Sequence, residues 1–71
     1  MNESETALKL YFEALEIQRD LNDHFGVVST LNNIGSVYAN TDKVKAKEFL
    51  NKTLALDPAN AYALEAMKLL K

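Results

Sequence analysis

Residues 27–58 read VVSTLNNIGSVYANTDKVKAKEFLNKTLALDP. Apolar residues recur here at steps of three and four. The first run offers Val27, Leu31, Ile34, Val37 and Tyr38, and the second offers Ala46, Phe49, Leu50 and Leu54, with Thr53 and Val44 assigned to the same buried face. That spacing marks amphipathic α-helices. Asn40-Thr41-Asp42 interrupts the pattern: Asn tolerates left-handed backbone at a helix end, and Asp42 can cap the next helix. Asp57-Pro58 closes the second run, because the residue before proline is pushed out of the α region. The stretch therefore predicts a helical hairpin over 25–56. Gly35 sits inside the apolar face of its first helix. A mid-helix Gly costs about 1 kcal/mol against Ala, which is explained if a neighbouring helix passes very close.

Working outward, Ala7, Leu8, Leu10, Tyr11, Ala14, Leu15, Ile17 and Leu21 predict a helix over 5–22. Ser4 is its candidate N-cap and Glu5 suits the first turn. Asn22-Asp23-His24 reads as a turn, and Gly26 as either a close contact or part of that turn. Beyond Pro58, Ala63, Leu64, Met67 and Leu70 predict a helix over 60–71 capped by Asn60. No segment alternates with period two for long enough to form a strand. The expectation is an all-α single domain, 1–71, of four helices packed antiparallel through short turns.

Composition narrows the chemistry. Apolar residues make up 48% of the chain, a globular fraction that argues against disorder. Cysteine is absent, which removes disulfides, thiol nucleophiles and cysteine-based zinc sites. His24 alone cannot build a metal site, and no apolar run approaches membrane-spanning length. The net charge of −2 lacks the basic stripe of a nucleic-acid binder. The lysines at 43, 45, 47 and 52 read as a solvated helix face. Neither Glu13 and Glu16 nor Asp23 beside His24 suggests a cleft that could tune acid–base groups. There is no glycine-rich phosphate loop. No catalytic residue, metal ligand or cofactor is implied, so an enzyme is not expected. The acidic N-terminus lacks the basic and apolar regions of a signal peptide, so the expected compartment is the cytoplasm. Below about 70–80 residues, one core rarely supplies more than a few kcal/mol. Very good helix packing or a partner chain is then needed.

The chain also repeats itself. Shifted by 39, Ala7, Tyr11, Ala14, Leu15 and Ile17 fall on Ala46, Leu50, Thr53, Leu54 and Leu56. Shifted by 33, Leu31, Ile34 and Val37 fall on Leu64, Met67 and Leu70. The first helix thus repeats in the third and the second in the fourth, the signature of stacked helical hairpins.

Residues 28–60 resemble a tetratricopeptide repeat. Leu31 stands at that family's early large residue, Ile34-Gly35 at its Leu-Gly pair, and Tyr38 at its aromatic. Ala46 and Leu50 stand at its small and large residues of helix B, and Asp57-Pro58 at its close. Residues 7–17 are similar to helix B of a preceding repeat. The resemblance implies about one and a half repeats of a right-handed superhelix, with the fourth helix as a cap. There are departures: the turn between the second and third helices is one residue short, Thr53 replaces the usual Ala, and Lys68 replaces the Gly of the fourth helix.

The resemblance further implies a protein-binding scaffold whose A helices line a concave peptide groove. By match, the groove residues are Ser29, Asn32, Asn33 and Ser36 on the second helix. On the fourth they are Tyr62 and Glu65, with Ala66 and Leu69. Asn33 stands where family members contact peptide. The family's cationic clamp for carboxylate termini is not expected, because Tyr62 and Ala66 occupy the corresponding places. The expected partner is a protein or peptide, with no nucleic acid and no membrane. The alternative is a structural homodimer without a peptide ligand. The first helix lacks its own A helix, so the second helix would cover only part of the surface of Ala7, Leu10, Tyr11, Ala14 and Ile17, and the rest, including Phe12 or Leu8 depending on rotation, would stay open for pairing.

Overall fold

The computed structural model describes residues 3–70. They form four helices and no strand: α1 (Glu3–Asp20), α2 (His24–Ala39), α3 (Lys43–Leu56) and α4 (Ala61–Leu69). The Cα atoms occupy a slab of 35 × 34 × 14 Å. Each helix packs on the one before it, and the short connections reverse the chain.

Side-chain caps set most of the boundaries. Asp23, Asp42 and Asn60 accept from the backbone N–H of Gly26, Lys45 and Ala63 at 3.0, 3.2 and 2.9 Å. These bonds satisfy donors that a helix start leaves without partners. Several expectations need correction. Ser4 lies inside α1, so the helix begins no later than Glu3 and Ser4 is not its cap. The helix ends at Asp20, and Asn22 takes the left-handed turn conformation with φ 56°. His24 is the first residue of α2, because Asp23 caps there. Asn40 stays right-handed, with φ −96°, while the N–H groups of Thr41 and Asp42 both donate to the Tyr38 carbonyl. The expected reach of the last helix to Lys71 lies outside the described residues.

Two apolar clusters hold the slab. Leu15, Val27, Leu31, Ile34 and Phe49 join α1, α2 and α3, with Leu8, Tyr11 and Tyr38 against them. Ala46, Leu50, Ala63 and Leu70 join α3 to α4. At Gly35 α2 lies close against α3. A methyl group there would stand 2.9 Å from both Cγ and Cδ2 of Leu50. Gly26 is a second close contact, against the Asp23 carboxylate and Gln18. Thr53 is fully buried, and its hydroxyl donates to the Phe49 carbonyl at 3.3 Å, so this polar departure is satisfied. Val44, expected inside, is 79% exposed. It lies two residues from Ala46, about 200° around the helix, on the opposite side. Leu64 is also exposed, at 45%.

Phe49 anchors an aromatic group on the α3 side. The edge of Phe12 meets it at 5.7 Å, and Tyr38 stacks on it at 5.7 Å. The ammonium groups of Lys52 and Lys45 lie 4.7 Å from the Phe49 ring centroid and 5.5 Å from that of Tyr38. Part of the expected lysine face therefore covers aromatic surface, at roughly 0.5–1 kcal/mol per exposed cation–π pair.

Candidate functional site: the groove between α2 and α4

The α2 residues Ser29, Asn32, Asn33 and Ser36 lie at i, i+3, i+4 and i+7, one helical face by spacing alone. The structure brings them together with Tyr62 of α4 around a concavity of about 330 Å³. Ser29, Asn33, Ser36 and Tyr62 are exposed, and Asn32 is half-buried. Glu65 does not line this hollow. It lines a neighbouring one of about 200 Å³, with Ala39, Tyr62, Ala66, Leu69 and Leu70. Tyr62 is common to both.

The Asn32 amide is already committed. Its Nδ2 donates to Asn60 Oδ1 at 3.0 Å. That oxygen also accepts from the Ala63 N–H, while Asn60 Nδ2 donates to Asp57 Oδ2 at 3.1 Å. The cap on α4 fixes the Asn60 amide, and Asn60 in turn fixes Asn32. Asn32 Oδ1 is buried and meets no donor among the described residues. Asn32 thus ties the two walls of the groove together, and Asn33 is the amide on α2 that remains open to solvent. Helical spacing put both Asn residues on one face but could not separate their surroundings. The signal was Asn60, a cap residue whose oxygen can accept a second hydrogen bond.

A larger hollow of about 440 Å³ opens at the other end of α2, lined by Gln18, Arg19, Asn22, His24, Val27 and Leu56. Its lining holds no carboxylate, and His24 instead meets the Phe25 ring edge-on at 6.4 Å. Chemistry gives this hollow no claim over the α2–α4 groove, despite its size. Among the described residues no group of three or more His, Asp or Glu side chains could hold a metal ion. No described helix is long and apolar enough to cross a membrane.

No family model, curated protein or solved structure matches the chain.

Proposed function

We propose that the chain is a tetratricopeptide-like interaction module that holds an extended segment of a partner protein between α2 and α4. The observation that carries this reading is the convergence of Ser29, Asn32, Asn33, Ser36 and Tyr62 on one concavity. An Asn side chain offers both a donor and an acceptor, and hydroxyls do the same. Such a lining can pair with a peptide backbone whatever its sequence. The close approach at Gly35 and the repeat of α1 in α3 support the hairpin-array reading behind it.

A selection of random dodecapeptides on the immobilised chain tests the reading. For a selected peptide, Asn33→Ala should leave the helical circular dichroism intact and weaken binding by about 1–3 kcal/mol in calorimetry. Unchanged affinity would remove Asn33 from the site.

A second reading, self-association through α1, is favoured by the open faces of Leu10, Ile17 and Leu21, which are 58%, 59% and 72% exposed. Phe12 is 39% exposed with its ring against Phe49, while Leu8 and Tyr11 turn to the core. Sedimentation over a wide concentration range tests it. A dimer that Leu10→Glu with Ile17→Glu converts to monomer supports this reading, and a monomeric mass at high micromolar concentration rejects it.

A further inference from the structure

The smaller hollow beside the groove has a lining of unusual contrast. Ala39, Ala66, Leu69 and Leu70 make it apolar, and Glu65 is the one charged residue among the described residues that line it. Tyr62 stands between this hollow and the polar groove and lines both. Leu69 is 78% exposed, so the apolar wall is open from outside. Glu65 is exposed, and no ion pair engages its carboxylate among the described residues. Lys68 follows one turn later on α4 and could compete for it. Such an exposed i,i+3 contact is worth only a few tenths of a kcal/mol.

An apolar trough with one carboxylate and one phenol ring complements a side chain with an aliphatic stem and a cationic head. The stem lies along Ala66, Leu69 and Leu70. The head would meet Glu65 and the face of Tyr62. An acidic side chain would face Glu65 with no cation among the described lining residues to offset it. We infer that this hollow is a specificity subsite for an arginine or lysine of the peptide held in the groove. Arginine fits better than lysine, because a planar guanidinium can both stack on an aromatic ring and pair with a carboxylate. This inference rests on the groove reading and adds the chemical class of the partner: a basic rather than acidic segment.

The test uses the full chain, labelled with ¹⁵N, and four capped alanine nonapeptides. Their central residue is arginine, citrulline, norleucine or glutamate. The arginine peptide should shift the backbone amides of Tyr62, Glu65, Ala66 and Leu69. Citrulline keeps the shape and loses the charge, so its peptide should bind about three- to tenfold more weakly. The glutamate peptide should bind weakest. Glu65→Gln, at an exposed helical position, should bring the arginine peptide down toward the citrulline affinity, a several-fold larger loss than the citrulline peptide itself suffers. Equal binding of arginine and citrulline peptides overturns the inference, as does a Glu65→Gln loss shared equally by both. Shifts at Ser29, Asn33 and Ser36 without shifts at Tyr62, Glu65, Ala66 and Leu69 also overturn it, but leave the groove reading standing. Shifts in neither set, or only along α1, remove both.

Discussion

Helices α1 and α3 match in sequence and differ in surroundings. Leu10 corresponds to Phe49, yet Leu10 is 58% exposed and Phe49 only 9%. Ala14 is half-buried where Thr53 is fully enclosed. The reason is neighbours. Helix α3 is packed between α2 and α4, whereas α1 packs against α2 on one side. The same amphipathic pattern builds a core in one place and an open apolar face in the other. In stacked hairpins, burial belongs to the interface between units rather than to the unit.

Truncation should show the contrast most strongly. Phe49→Ala removes the ring that Phe12 and Tyr38 pack against and should cost about 3–5 kcal/mol, enough to unfold a domain of this size. Leu10→Ala should stay within about 0.5 kcal/mol, as surface changes do. Urea melts of the two variants check this. Similar losses would mean that α1 has a partner on its open face.

Overpacking gives the next largest effect. Gly35→Leu places a side chain where a methyl group already meets Leu50, and should cost about 1–3 kcal/mol or more. Lys68 occupies the equivalent place on α4, exposed to solvent, so Lys68→Leu should change stability by no more than about 0.5 kcal/mol. If Gly35→Leu melts at or above the parent temperature, the close contact of α2 with α3 is wrong.

The smallest expected effect separates two caps. Asp42→Ala removes one N-cap and should cost about 1 kcal/mol. Asn60→Ala removes a cap and also the partner of Asn32, so its loss should be the greater of the two in the same melts. Equal losses would deny Asn60 a role in joining α2 to α4.

Much of this architecture is legible in the sequence, because local rules decide it. Asp42, Asn60 and Asp57-Pro58 mark their boundaries through capping chemistry and proline sterics. Gly35 announces a close helix contact before any neighbour is known. The misreadings share another cause. Val44 and Leu64 are apolar and lie near the right residues, but burial depends on which side a neighbour occupies. Asn40 could have turned left-handed, and the structure instead ends α2 through bonds to the Tyr38 carbonyl. The groove face at Ser29, Asn32, Asn33 and Ser36 follows from helical spacing. The commitment of Asn32 to Asn60, and the apolar trough completed by Ala39 and Leu70, arise only when α2 and α4 are brought side by side.

The nine residues of α4 have a consequence for motion. An isolated helix shorter than about 12–15 residues is marginal in water. Its helicity therefore depends on the burial of Ala63 and Leu70 and on the Asn60 cap. Amide hydrogens of Ala63 to Leu70 should exchange with deuterium sooner than those at the centre of α2 or α3, since the end element opens without unfolding the rest. One wall of the groove is then carried by a short helix that depends on its packing against α3. A ligand seated there would slow its exchange, so occupancy could be followed by protection of α4 alone.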